Sequence, residues 1–384
     1  MIKVCFVRGK YLNNFEGQNY LFNTKDIQLT AVSSFFPLHR SFPFLVKKYI
    51  SPVDFPFFAR EIKYFGNRLI GDAQILFGLE GIADKFDIFH TADPHYYYSY
   101  QLAKLRQKNL IKKLIVTAWE TIPFNNESVK RKKYIKYFTL KQADHFICYT
   151  EKAKKALVLE GVNPKKISVV WLGVDLKKFK FQKSKFKVEK KETDFTILFV
   201  GRLVEEKGIL DLYGAFKQIK NEKLKMKNYK LKLKIIGDGL LKPFLKSLIT
   251  KDELSSDVFI EKKSYEEMPK IYRESDIFVL PSKRTKTWEE QYGMALVEAM
   301  ASGLPIVAYN SGTISEIIEE AGILVKEGDL KNLIASIKQL IKAEKLRTKL
   351  GKIGRERAEK EFDAKKTANY IKNIYFKIAA IPRN

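Results

Sequence analysis

The strongest constraint on the fold is a pattern that recurs along the whole chain. Short, mainly apolar runs are closed by a glycine or a polar turn and followed by a helical stretch. The clearest case is Phe195–Val200, which ends in Gly201 and hands over to a helix beginning near Gly208. Such alternation predicts largely parallel sheets with helical crossovers, hence an α/β fold. Further strands are expected at Leu231–Ile236, Asp257–Ile260, Asp276–Leu280, Pro305–Ala308 and Gly322–Val325. In the first half they are expected at Ile2–Val7, Asp87–His90, Leu114–Thr117, Phe146–Tyr149 and Ile167–Trp171. Helices are expected over Tyr98–Lys108 and Val129–Lys141, and an amphipathic helical segment runs from Lys331 to about Ile378.

A chain of 384 residues is long enough for two such units. The lysine-rich stretch with Lys183, Lys185, Lys187, Lys190 and Lys191 has few core candidates and reads as a linker. The expected division is a first Rossmann-like domain over 1–180, a linker over 181–194 and a second Rossmann-like domain over 195–365. A C-terminal helix over 366–384 is expected to pack back on the first domain. With 45% hydrophobic and 13% aromatic residues the chain is not a disordered one. Two cysteines, Cys5 and Cys148, exclude a disulfide-stapled scaffold and suit a reducing compartment. No run reaches the roughly 18 apolar residues of a membrane span, and Met1–Arg8 reads as a buried strand rather than a signal peptide. A cytoplasmic protein is expected. Residues 35–70 cluster aromatics with prolines, either as a loop packed on the core or as a surface for an acceptor or lipid.

The net charge of +27 admits nucleic acid, an anionic membrane or an anionic substrate as partner. Residues 1–180 hold 30 basic and 15 acidic residues, and 181–384 hold 41 and 29, so the excess is not one basic arm. Most of it is lysine, whereas forked recognition of phosphates and bases favours arginine. A generally basic surface and a directed patch both remain open. The stretch Val129–Phe138 is either a core helix with a solvated lysine face or a basic amphipathic helix for the inner, anionic face of a membrane.

Candidate chemistry gathers in the second half. Arg202 and Lys207 flank the loop between Gly201 and the helix at Gly208, and two cations beside a helix N-terminus suit a diphosphate. Gly237 and Gly239, in Gly237-Asp238-Gly239, allow close backbone approach at the next strand end. After Pro281-Ser282 a helix is expected from Gly293 to Gly303. Glu298 lies inside it among apolar residues, where a carboxylate is costly unless paired or hydrogen-bonded. Its partner is either an intradomain lysine or ligand hydroxyls. Glu290 precedes the helix at the open sheet end, and carboxylates accept hydrogen bonds from sugar or ribose hydroxyls.

Gly201-Arg202-Leu203…Lys207-Gly208, Gly237-Asp238-Gly239 and Glu290…Glu298-Ala299…Gly303-Leu304-Pro305 resemble glycosyltransferase family 4. Phe86–His90, Ala143–Thr150 and Gly173-Val174-Asp175 with Phe179 are similar to its first-half segments. The resemblance implies a GT-B fold, with two Rossmann-like doubly wound domains facing across a cleft. It implies that Arg202 and Lys207 neutralise the diphosphate of a nucleotide-sugar donor. Glu298 would hold the ribose hydroxyls and Glu290 the transferred sugar. Backbone amides at Gly293, Met294 and Ala295 would point at the distal phosphate, and Gly17 would lie in a first-domain loop closing over the phosphates. Where many members read T-x-H, this chain reads Thr117-Ala118-Trp119-Glu120, so His95, Trp119 and Glu120 are the candidates on the acceptor side. Leu172 stands for an asparagine and Glu261 for a glycine of the family pattern.

The expected function is therefore retaining transfer of a sugar from a nucleotide diphosphate to a saccharide or lipid-linked acceptor. Neither a cofactor nor a metal is expected, since no metal-ligand spacing is found, and an anionic membrane surface is a further expected partner. A nucleic-acid- or polyanion-binding protein is the alternative from another class. Dispersed lysines, with Glu290 and Glu298 at the site, argue against nucleic acid. A nucleotide-sugar epimerase or a phosphorylase on the same fold is the third reading.

Overall fold

A computed structural model describes residues 1–39, 41–55, 71–179, 194–222 and 230–382. Most of the expected linker (181–193) and residues 56–70 of the aromatic and proline stretch lie outside the described residues. Two compact units emerge, Met1–Gly173 with Ala364–Asn384, and Val174–Asp363.

Unit 1 carries β1 (Ile2–Gly9), β2 (Ile27–Ser33), β3 (Leu45–Lys48), β4 (Ile88–Ala92), β5 (Leu114–Ala118), β6 (His145–Cys148) and β7 (Ile167–Val169). They form one sheet in the order β3-β2-β1-β4-β5-β6-β7, with every described pairing parallel. Its helices are α1 (Asn14–Gly17), α2 (Tyr97–Gln107), α3 (Lys130–Gln142) and α4 (Glu151–Leu159). β4 and β5 are buried along their whole length, as strands covered by helices on both faces must be. β2 and β3 were not expected. β3 falls inside the stretch 35–70, for which a core-packed loop or a surface for an acceptor or lipid was expected, because an edge strand with exposed Leu45, Lys47 and Lys48 lacks an apolar run.

Unit 2 carries β8 (Asp194–Val200), β9 (Lys230–Ile236), β10 (Val258–Glu261), β11 (Ile277–Leu280), β12 (Ile306–Tyr309) and β13 (Gly322–Val325). The parallel order β10-β9-β8-β11-β12-β13 is the doubly wound order of a dinucleotide-binding sheet. Between them run α5 (Ile209–Asn221), α6 (Lys242–Lys251), α7 (Met268–Arg273), α8 (Met294–Ala301) and α9 (Ile314–Ile318). The C-terminal segment, expected as one helical stretch, divides into α10 (Leu330–Lys342), α11 (Glu344–Glu361) and α12 (Ala364–Ala380). The last of these belongs to unit 1, where the Tyr375 hydroxyl meets His90 Nδ1 at 2.7 Å.

In both sheets the chain winds outward in opposite directions from a central pair, β1 and β4 in unit 1, β8 and β11 in unit 2. The loops leaving that pair diverge to opposite faces and leave a crevice at the carboxyl ends of the strands. Both candidate clusters sit at such an edge.

Candidate functional site

In unit 2 the loops after β8, β9 and β11 converge through backbone contact. A Cβ on Gly237 would fall 1.9 Å from the Gly201 carbonyl oxygen, so only glycine lets the ends of β8 and β9 approach this closely. Gly208 has φ +66°, and a Cβ there would fall 1.8 Å from the Pro281 carbonyl oxygen, which binds the start of α5 to the loop after β11. Gly239 lies against the backbone of Leu203, and its amide donates to Asp238 Oδ1 at 3.0 Å.

This convergence delivers Lys207 to Glu290. Lys207 Nζ lies 2.5 Å from Glu290 Oε2, and the Ser282 hydroxyl donates to the same oxygen at 2.9 Å. The Glu290 carbonyl is fixed by the Thr313 amide and hydroxyl, at 2.9 and 3.1 Å. Trp288 lies under both cations, with Lys207 Nζ 4.7 Å and Arg202 Cζ 5.8 Å from its ring centroid. Arg202 is largely exposed and pairs with Glu206 at 3.3 Å. Gly293, in the left-handed region, directly precedes α8, and no side chain caps the helix. The amides of Met294 and Ala295 therefore lie at an uncapped helix N-terminus, the positive end of its dipole.

Glu298, one turn into α8, is nearly buried, and its partners are hydroxyls rather than the lysine that sequence left open. Tyr272 donates to Oε2 at 2.7 Å, and Tyr265 also hydrogen-bonds to the carboxyl. Burial pushes the carboxyl up to about 7, against the pull of those two hydroxyls. Sequence reasoning missed Tyr265, Tyr272, Ser282 and Trp288. Tyr265 and Tyr272 meet Glu298 only through the fold, whereas Trp288 lies two positions before Glu290 and could have been found there.

In unit 1 the same edge is built differently. Arg8, at the end of β1, is buried, and its Nε and Nη2 donate to Glu16 at 2.9 to 3.1 Å. Its Nη1 donates to the Val7 and His90 carbonyls, and Nη2 also reaches the Thr117 hydroxyl at 3.1 Å. Tyr149 donates to Glu16 at 2.8 Å and meets the Tyr20 hydroxyl at 2.8 Å. His90 Nε2 meets Thr117 Oγ1 at 2.7 Å, and burial holds its imidazole well below the ordinary range. Gly17 lies beside this network as the buried last residue of α1, against Phe44, not in an open loop.

The acceptor-side candidates have distinct settings. Trp119 packs edge-on against Tyr149, with centroids 4.5 Å apart. Glu120 anchors its own turn, accepting from the Thr121 and Ile122 amides and from Asn125 and Asn126. His95 packs against Tyr96 with the rings tilted at 49° and centroids 4.5 Å apart, and burial, then Lys132 and Lys136, keeps it well below its ordinary pKa. The residue missed here is Asp93, directly after β4. It has φ +43° and accepts the Trp119 amide at 2.9 Å. Burial pushes its carboxyl up to about 7. Nearby, the buried Tyr98 hydroxyl and Gln74 Oε1 lack a hydrogen-bond partner. Among the described residues no three His, Cys, Asp or Glu side chains gather as a metal site, and no helix is long and apolar enough to cross a membrane.

Comparison with known proteins covers both units. Residues 180–357 match the family described as "Glycosyl transferases group 1", and residues 34–178 match "Glycosyltransferase Family 4". The chain is 29% identical over 251 residues to an uncharacterized glycosyltransferase of Methanocaldococcus jannaschii, covering 65% of this chain and 63% of that protein. It is 27% identical over 328 residues to a UDP-Gal:α-D-GlcNAc-diphosphoundecaprenol α-1,3-galactosyltransferase of Escherichia coli, covering 80% of each. For several curated relatives the chain spans less than two thirds of their length, 48% for a Bacillus subtilis spore coat protein. The fold matches HepE of Anabaena in complex with UDP and glucose, with a TM-score of 0.74 at 16% identity over 99% of this chain and 100% of that one. It also matches a sucrose-phosphate synthase of Thermosynechococcus elongatus, with a TM-score of 0.75 at 17% identity, covering 99% of this chain and 100% of that one. The architecture is the GT-B fold.

Proposed function

We propose that this chain, which belongs to glycosyltransferase family 4, transfers a sugar from a nucleotide diphosphate to a saccharide or lipid-linked acceptor, with retention at the anomeric carbon. The observation that carries this reading is the convergence of Arg202, Lys207, Glu290 and the uncapped start of α8 on one strand edge of unit 2.

Most of the barrier to sugar transfer is charge developing on the departing diphosphate. Arg202, Lys207 and the Met294 and Ala295 amides supply preorganised positive charge for it, and no metal ion is called on. Glu290 neutralises Lys207 in the absence of donor. A bound diphosphate competes for the ammonium and releases the Glu290 carboxylate toward the sugar hydroxyls. Glu298 accepts the ribose hydroxyls while Tyr272 keeps its orientation. In unit 1 the Asp93 carboxylate offers a hydrogen-bond acceptor to the hydroxyls of the acceptor substrate. Retention is assigned to a front-face reaction in which the leaving phosphate takes the acceptor's proton.

A thermal-shift series of nucleoside diphosphates and their sugars tests donor class, led by uridine diphosphate because HepE is described with UDP. Lys207→Ala and Arg202→Ala are each expected to lower kcat by about 10²-fold or more, as loss of one preorganised donor does. Full activity in both variants overturns the assignment. NMR of the product's anomeric centre distinguishes retention from inversion, and product analysis without acceptor separates transfer from epimerisation.

A further inference from the structure

A cavity of about 310 Å³ opens in unit 1 where Arg106, Lys113, Asp144, Lys165, Lys166 and Lys377 meet. Lys113 directly precedes β5, Asp144 precedes β6, and Lys165 and Lys166 precede β7, so the cavity lies at the edge where the strands begin. Asp93 and Trp119 lie at the opposite edge of the same sheet. None of the chemistry proposed above uses this cavity.

Its charge is unbalanced. Among the described residues Asp144 is the one carboxylate in the lining, and it is already engaged by the Arg106 fork at 2.8 and 2.9 Å and by the Leu114 amide at 2.8 Å. Lys113 has a nearly buried side chain, yet its ammonium has only long contacts, 3.4 Å to the Pro382 carbonyl and 3.9 Å to Asp144. Lys166 reaches the Ala143 carbonyl at 3.3 Å. Among the described residues no carboxylate pairs with Lys165, Lys166 or Lys377. The contrast is Lys136 of α3, also buried, which is met by Glu160 at 2.6 Å and Glu127 at 3.1 Å. A cation withdrawn from water is costly without such partners.

We propose that this cavity binds a phosphate or diphosphate group, with Lys113 at its floor and Lys165, Lys166 and Lys377 at its rim. A compact polyanion supplies close, charged acceptor oxygens to the three rim lysines and to Lys113, whose own contacts are long. The group comes either from a soluble phosphate compound or from the headgroup of an anionic lipid, for which the exposed Ile381 beside the opening offers an apolar contact. His145 in the wall reports the field. Burial, then the charges of Lys377 and Lys166, hold its imidazole down to about 4, and its Nε2 meets Ser168 Oγ at 2.9 Å.

His145 makes the test local. The full chain with 13C-labelled histidine gives four imidazole signals, one per histidine, and only His145 lines this cavity. Inorganic pyrophosphate is titrated in, and vesicles of phosphatidylglycerol or of phosphatidylcholine are tested by co-sedimentation. Pyrophosphate is expected to shift the His145 signal and raise its pKa from about 4. Replacing three exposed lysines together, Lys165→Ala, Lys166→Ala and Lys377→Ala, is expected to weaken that response by about 100-fold at low salt. The same replacements should raise the His145 pKa with no anion present. A control with Lys246→Ala, Lys251→Ala and Lys349→Ala carries the same charge change on unit 2 and should keep the response. If only phosphatidylglycerol vesicles bind, and the first triple variant loses them, the group is a lipid headgroup. The proposal is overturned if neither probe acts at the cavity, or if the two triple variants behave alike. Donor binding at Arg202 and Lys207 should persist in both variants, so failure here leaves the transferase assignment standing.

Discussion

Each unit has a cation at or just after a central strand that meets a carboxylate, Arg8 in β1 with Glu16 in unit 1 and Lys207 in the loop after β8 with Glu290 in unit 2. The two pairs differ in what the cation has left to give. Arg8 is buried and spends its donors on Glu16, two carbonyls and the Thr117 hydroxyl. Lys207 has one carboxylate oxygen and the face of Trp288, with ammonium donors still unspent. A saturated cation holds a fold together. An unsaturated one at a strand edge can exchange its partner for a ligand, so the Arg8–Glu16 pair should be read as structural and the Lys207–Glu290 pair as chemical.

The largest effect that could break this contrast is on stability. Arg8→Met strands the buried Glu16 carboxylate with the Tyr149 hydroxyl as its remaining side-chain donor among the described residues, and removal of one partner of a buried pair costs about 3–5 kcal/mol. Urea denaturation is expected to show that loss, and the double variant Arg8→Met with Glu16→Leu should recover much of it, because no buried charge then remains. Lys207→Met should cost far less in stability while abolishing most turnover. Equal destabilisation by the two methionine variants would erase the distinction between the pairs.

Glu298 sharpens the comparison, because it is a buried carboxylate with hydroxyl partners and, among the described residues, no cation. Its carboxyl titrates near 7 in the folded protein and near 4.5 when unfolded. Between those values the native state holds the extra proton, so its contribution to stability is complete at the acid end and lost as the pH rises to about 7. A shift of this size corresponds to about 3 kcal/mol. Glu298→Gln does not titrate. The stability of the natural protein relative to this variant should therefore fall by about that amount from pH 4.5 to 7. Chemical denaturation at several pH values checks it, and a pH-independent difference would contradict it. Hydroxyl donors favour the ionised carboxyl, so nucleotide affinity should rise over the same window in the natural protein only.

The same contrast explains what could be read from sequence. β8, β11 and β12 announce themselves as apolar runs, since strands buried on both faces tolerate little else. Glycines and charges at their ends lie on the page in order, which is why Gly201, Lys207, Gly237 and Glu290 could be named together. β2, Ile27–Ser33, is interrupted by Gln28 and Thr30, and β3 is an exposed edge, so neither gives an apolar run. The network of unit 1 joins Arg8, Glu16, Thr117 and Tyr149 from four separate segments, and nothing local shows that they meet. Tyr272 reaches Glu298 from 26 positions away in the same manner. Pairings made by topology become visible only once the strand order is known.

The smallest effect concerns Trp288, the one aromatic ring shared by both cations of unit 2. Trp288→Leu removes an interaction worth about 0.5–1 kcal/mol at a partly exposed site, a loss of about two- to fivefold in kcat/KM. Because Arg202 is exposed and otherwise held only by Glu206, the loss should fall mainly on KM for the donor. Trp288→Phe keeps a ring face and should recover part of the loss, whereas Leu keeps apolar bulk without one. Denaturation midpoints of the two variants should agree, since the ring's proposed role is to steer two side chains. A drop beyond tenfold in kcat at saturating donor would instead place Trp288 in contact with the reacting groups, and Lys207 would then not be the only residue of this loop cluster that exchanges a protein partner for the ligand.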